Sequence, residues 1–166
     1  MGQSVIKKKI ISQKSSGSSG SNVVTSIIYP VNTDVNTTDS TNGIDIADLT
    51  IPLLASSRYI VRGAFTVGCS GTGGVKLKAT LAGSTASIKF LSRIASNDTA
   101  RWSAIGTGSY SSALSTANSS SGGVIIDSTI TTTTAGNLVF NIASGTSGQT
   151  STLFSEGSYL EVIKIS

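Results

Sequence analysis

From residue 23 onward, short apolar runs alternate with polar, turn-forming stretches. Val23 to Val31 is a β-branched run ending around Pro30, and residues 32–43, rich in Asn, Thr, Asp and Gly, read as a loop. Leu49, Ile51 and Leu53 alternate, and Pro52 marks an edge or a strand end because proline offers no N–H to a ladder. Tyr59, Val61, Gly63, Phe65 and Val67 share one face of the next strand, with Arg62, Ala64 and Thr66 on the other. After a turn at Gly71-Thr72-Gly73-Gly74, Val75, Leu77, Ala79 and Leu81 point inward and Lys76, Lys78 and Thr80 outward. These two strands read as one unit with a single wet face.

Ile88, Phe90 and Ile94 suggest a further strand. Residues 95–123 form the longest stretch without periodicity. Val124 to Ile130 is a strand, Ala135-Gly136-Asn137 a turn, and Leu138, Phe140 and Ile142 alternate again. Residues 144–151 read as a loop. Tyr159 to Ile165 is apolar on both faces apart from Glu161 and Lys164, which places it mid-sheet or at a subunit interface. About eight strands at this spacing predict an all-β, antiparallel sandwich of the jelly-roll kind. No repeat of 20–50 residues is visible, so a β-helix has no support.

Composition agrees with strands and long polar loops. Ser and Thr together supply 52 of 166 residues, Gly adds 18, and only 12% are charged. Thr suits strands; Ser and Gly suit turns. The length is that of one domain able to bury a core without disulfides. The lone Cys69 excludes an intrachain disulfide and reads as a small buried apolar residue. No run of 18 apolar residues occurs, so no transmembrane helix is expected.

Charge divides the chain in two. Lys7, Lys8, Lys9 and Lys14 precede every acidic residue, the first of which is Asp34. The formal net charge is +4, so residues 15–166 are neutral. The basic character belongs to an extended arm, residues 1–22, that ends in a Ser/Gly linker and precedes the sandwich of residues 23–166. The arm reads either as simple disorder or as an anchor. In the second reading Val5, Ile6, Lys7, Lys8, Lys9, Ile10, Ile11 and Lys14 order on an acidic partner. The domain has no basic face with interleaved aromatics, so no nucleic-acid partner is expected.

Candidate chemistry is sparse. The chain has no histidine, which removes the commonest general base and metal ligand and every Ser-His-Asp or Cys-His arrangement. Nothing selects a catalytic pair among its eight carboxylates, and we expect neither an enzyme nor a cofactor. Asp34, Asp39, Asp45 and Asp48 cluster with Asn36 and Asn42; without EF-hand spacing they read as a solvated loop rather than a calcium site. Arg101, Trp102 and Tyr110, amid Ser, Asn and Gly, offer a ligand-recognition surface, with Trp102 packed in the core as the plainer alternative.

Two stretches resemble a known family. Residues 49–65 with 73–79, and residues 131–140 with 157–163, resemble the C1q/TNF-like jelly rolls found in virion proteins of tailed bacteriophages, over residues 45–166. The resemblance implies a homotrimer whose apolar strand faces meet at a threefold axis, with Tyr159, Val162, Ile163 and Ile165 at the interface. It also implies a place in the virion, assembled in the host cytoplasm, as a capsid decoration, head-fibre or tail-fibre protein. The arm lies where such proteins attach to the major capsid protein or another virion protein. The alternative is a receptor- or glycan-binding tail module that uses residues 95–123.

Overall fold

The computed structural model describes residues 9–13, 24–71, 73–81, 87–93, 100–106 and 122–165. Among them lie eleven strands: β1 (Lys9–Gln13), β2 (Val24–Pro30), β3 (Val35–Thr37), β4 (Ile44–Leu53), β5 (Ser57–Cys69), β6 (Val75–Leu81), β7 (Ser87–Arg93), β8 (Ala100–Gly106), β9 (Gly122–Thr132), β10 (Gly136–Ser144) and β11 (Ser151–Lys164). Every pairing is antiparallel. The large sheet runs β1-β2-β11-β5-β9-β7-β8, with β3 also pairing β11, and the small sheet runs β4-β10-β6.

The strand order identifies the fold. The pairs β2–β11, β4–β10 and β5–β9 are nested, first strand with last and so inward, as in one long antiparallel ribbon. The ribbon is wound so that β11 also pairs β5 and β10 also pairs β6. Successive strands β4, β5 and β6, and then β9, β10 and β11, therefore alternate between the sheets. That wrapping is a jelly roll.

Alternation along the strands builds the core between the sheets. The small sheet contributes Ile46, Leu49, Ile51 and Leu53 from β4, Leu138, Phe140 and Ile142 from β10, and Val75, Leu77, Ala79 and Leu81 from β6. The large sheet answers with Tyr59, Val61, Phe65, Val67, Val124, Ile126, Ile130, Leu153, Leu160 and Val162. Phe65 and Phe140 meet edge to face across the two layers, ring centroids 5.8 Å apart at 88°, the favoured geometry for an aromatic pair. Cys69 is buried at the end of β5, and Pro52 lies on the edge strand β4, the place in a sheet where proline is tolerated.

Several expectations need correction. β5 and β6 are not one paired unit, since β5 pairs β11 and β9 while β6 pairs β10 in the other sheet. The Gly-rich connection crosses the end of the sandwich, fixed by Ser70 N–H to Thr150 O (2.9 Å), Gly73 N–H to Gln149 Oε1 (2.8 Å) and Gly145 N–H to Gly74 O (2.9 Å). Both strands face one core, so their alternation looks the same whether they pair or oppose. Residues 95–123 are not wholly irregular: Ala100–Gly106 form β8, and β9 begins at Gly122. The stretch 32–43 holds the three-residue β3. The last strand begins at Ser151 rather than Tyr159. It is buried mid-sheet between β2 and β5.

Candidate functional site

The outer face of the large sheet is the most distinctive surface among the described residues. Register aligns its residues in cross-strand rows. One row runs Pro30 (β2), Tyr159 (β11), Ala64 (β5) and Ile125 (β9). It continues at register positions Leu91 (β7) and Trp102 (β8), so six strands pass without a charge. Tyr159 is 43% exposed and Ile125 42%. The next row is charged: Lys9, Ile28, Glu161, Arg62 and Asp127 on β1, β2, β11, β5 and β9. Arg62 Nε lies 3.6 Å from Asp127 Oδ1, with both side chains more than half exposed. Such a pair contributes at most about 1 kcal/mol. Ser26 donates to Glu161 Oε1 at 2.6 Å. In the third row, the half-buried Ile163 stands opposite the half-buried Ile60.

An irregularity in β11 shapes one end of this face. Phe154 pairs with Thr66 and Tyr159 with Ala64, so residues 155–158 face the single residue Phe65. The extra residues shift the alternation, placing Leu153 and Leu160 inward and leaving Tyr159 outward. Gly157 takes φ 78°, a left-handed conformation that favours glycine. Asp34 Oδ1 clamps the bulge by accepting from the Ser155 N–H (2.7 Å) and hydroxyl (2.8 Å). The buried Ser158 accepts from Thr66 N–H through its hydroxyl (2.9 Å) and from Val31 N–H through its carbonyl (3.0 Å). Two open cavities flank the bulge. The larger, about 620 Å³, is lined by Asp34, Thr66, Phe154 and Glu156 among others. The second, about 460 Å³, is lined by Ile28, Pro30, Tyr159, Ser158 and Glu161 among others.

The structure separates the residues singled out as a trimer interface. Tyr159 and Ile163 point outward, and Ile165, 40% exposed, follows with the same alternation. Val162 has the opposite parity, is 5% exposed and belongs to the intersheet core; the period of two excludes it from the face its neighbours form. Of the arm residues, Lys9, Ile10 and Ile11 lie in β1, paired with Ile28, Ile27 and Ser26. Val5, Ile6, Lys7, Lys8 and Lys14 lie outside the described residues. Arg101 and Trp102 stand on β8, paired with Ser92 and Leu91, and Tyr110 lies outside the described residues. Sequence reasoning missed Ile125, Ile60 and Pro30. The signal was present in Val124-Ile125-Ile126, where alternation turns only the middle residue away from the core.

The acidic loop resolves into separate structural roles. Asp39 Oδ1 accepts from Thr41 N–H (2.7 Å) and Asn42 N–H (2.9 Å). Those backbone donors, Asn42 first and then Thr41, hold its carboxyl below the usual carboxylate range. Asp45 Oδ1 accepts from Asn141 Nδ2 (2.9 Å), and Asp48 Oδ2 from Asn32 N–H (2.8 Å). With Asp34 on Ser155, the four carboxylates tie four different places. Among the described residues no three potential metal ligands converge.

No family model matches the sequence, and no curated protein matches it. Among solved structures the chain is similar to Eiger TNF of S. frugiperda, at 10% identity and a TM-score of 0.49 over 85% of this chain and 92% of that one. It is also similar to VP2 of a subviral particle of infectious bursal disease virus, at 14% identity and a TM-score of 0.47 over 94% of this chain and 37% of that one. This chain thus spans little more than a third of the VP2 chain. With both TM-scores below 0.5, the fold assignment rests on strand pairing alone: the chain is an antiparallel jelly roll.

Proposed function

We propose that the chain is a structural component of a virion, a jelly-roll unit that assembles as a homotrimer through the outer face of its large sheet. The observation that carries this reading is the uncharged row Pro30–Tyr159–Ala64–Ile125. The charged row separates it from the half-buried pair Ile60 and Ile163. An uncharged row that crosses neighbouring strands and exposes Tyr159 and Ile125 supports a contact between copies along that row. The neighbouring charged row carries Glu161, Arg62 and Asp127 with both signs interleaved, so covering it does not pile up charge of one sign.

The stretches that resemble tailed-phage jelly rolls lie on β4, β5, β6, β9, β10 and β11, the strands that build the sandwich. That supports a capsid decoration or head-fibre role, in which the sandwich itself is the building unit. The role is structural rather than enzymatic, in keeping with a chain that has no histidine. Attachment to the major capsid protein or another virion protein runs through the basic arm. Deleting residues 1–14 and measuring retention on purified particles tests that anchor: retention should fall and the remaining binding should lose its salt dependence. Undiminished retention would remove the arm from the account.

A further inference from the structure

The outer face of the small sheet carries a lysine, an asparagine and an aspartate in one row across three adjacent strands. Asn141 lies on the central strand β10, opposite Lys78 of β6 on one side and Asp45 of β4 on the other. Its neighbours Phe140 and Ile142 point into the core, as do Leu77 and Ala79 beside Lys78. Asn141 is 4% exposed, Lys78 is half-buried and Asp45 is exposed. An irregularity in β4 selects the carboxylate. Val139 pairs with Thr50 but Asn141 pairs with Asp45, so residues 46–49 face Phe140 alone. An unbroken register would have put Asp48 in that place; Asp48 instead accepts from the Asn32 N–H (2.8 Å). Asp45 Oδ1 accepts from Asn141 Nδ2 at 2.9 Å. That bond orients the amide: with Nδ2 turned to β4, the planar group turns its carbonyl the other way, toward β6. Directly opposed residues have Cβ atoms about 4.5–5.5 Å apart, within reach of a lysine's flexible four-carbon stem. Lys76, on the same face of β6, is committed elsewhere, its Nζ donating to Ser40 O (3.2 Å).

We propose that Lys78 and Asn141 join in an intramolecular isopeptide bond, with Asp45 relaying the protons. The Lys78 ammonium gives a proton to Asp45, and the free amine attacks Asn141 Cγ. The Nζ–Cγ bond forms and the Cγ–Nδ2 bond breaks. Asp45, already hydrogen-bonded to Nδ2, passes its proton to the leaving nitrogen. The second proton shed by Nζ follows, so the nitrogen departs as ammonium and no co-reactant is consumed. The burial of Asn141 keeps water from competing for the same carbon, and the fixed register replaces an encounter between separate molecules. The product ties the edge strand β6 to the centre of its sheet. The inference goes beyond the virion reading and does not depend on it.

The test is mass spectrometry of the denatured full-length chain. The intact mass should fall short of the sequence mass by one ammonia. A tryptic digest should yield a branched peptide joining Lys78 to Asn141, with no cleavage after Lys78. Lys78→Arg and Asn141→Ala should each restore the missing ammonia. Asp45→Asn should slow bond formation by about a hundredfold or more, the size expected for losing a general acid–base group, and leave freshly purified protein unlinked. A chain of full mass that trypsin cuts after Lys78, in fresh and aged samples alike, would overturn the proposal without recourse to any variant. An ammonia loss that maps to another site, such as Asn42-Gly43, would overturn it as well. Linkage in Asp45→Asn at the unaltered rate would overturn the role given to Asp45.

Discussion

Ile125 offers the sharpest perturbation of the outer face. It is 42% exposed on the described chain, between Ala64 of β5 and register position Leu91 of β7. Burying a whole isoleucine side chain stabilises by roughly 1.5–3 kcal/mol, so covering its remaining exposure is worth about 1 kcal/mol per copy. Ile125→Thr removes most of that gain and places a hydroxyl at a dry contact, for about 1–2 kcal/mol in all. Three copies bring the loss to about 3–6 kcal/mol, two to four orders of magnitude in the trimer dissociation constant. Threonine keeps the β-branch that suits a strand, and its hydroxyl meets water in the separate chain. The melting temperature of the dissociated variant should therefore stay within about 2 °C of the parent. Sedimentation velocity across a concentration series reads association, and thermal unfolding reads the fold. Association unchanged to within tenfold, with an unchanged melting temperature, would refute the assignment of this face to self-contact.

Three further outcomes test the fold that carries the face. Thr132 is buried, accepts from Ser57 N–H (3.2 Å) and donates to the carbonyl of Leu54 (2.5 Å) or Ser57 (3.0 Å). Thr132→Val, of equal shape, should cost about 2–3 kcal/mol by stranding those groups, a fall of about 5–10 °C in melting temperature; no fall would mean the turn finds other partners. At Gly63 an added Cβ would run into the Tyr159 carbonyl and come within 2.7 Å of Leu160 Cδ2, so Gly63→Ala should lose about 1–3 kcal/mol in denaturant titration. A neutral result would show that β11 can yield beside its bulge. Because the Asp39 carboxyl is held low by the Asn42 and Thr41 N–H groups, its contribution to the 37–43 turn is full above the ordinary carboxylate pKa. That contribution disappears as pH falls through the lowered folded value. A carboxyl NMR titration of Asp39 should have its midpoint below that of a reference peptide, and a midpoint at or above the peptide's would contradict the geometry.

The legibility of the fold followed the local period. Tyr59, Val61, Phe65 and Val67, or Leu138, Phe140 and Ile142, alternate cleanly, and the structure buries each of them. Which strands pair was not legible, because β5 and β6 show the same inward alternation whether they share a sheet or oppose each other. The start of β11 was hidden by its bulge: Ser155, Glu156, Gly157 and Ser158 interrupt the period, and the Asp34 and Ser158 hydrogen bonds that hold them come from distant contacts. The candidate surface was half visible. Tyr159 and Ile163 stand in the terminal strand, but their partners Ala64 and Ile60 are 95 and 103 residues away and only register brings them together. Lys9, Ile10 and Ile11, read as part of an arm, lie in a strand on β2 because pairing needs a neighbouring edge that sequence alone does not supply.

The most direct test is a cryo-electron microscopy map of the particle that carries this protein. Sandwich-shaped density is expected on the virion in groups of three, with the large sheet's outer face, Tyr159 and Ile125 included, buried between copies. Absence of the chain from the particle, or density with that face turned to solvent, would contradict it.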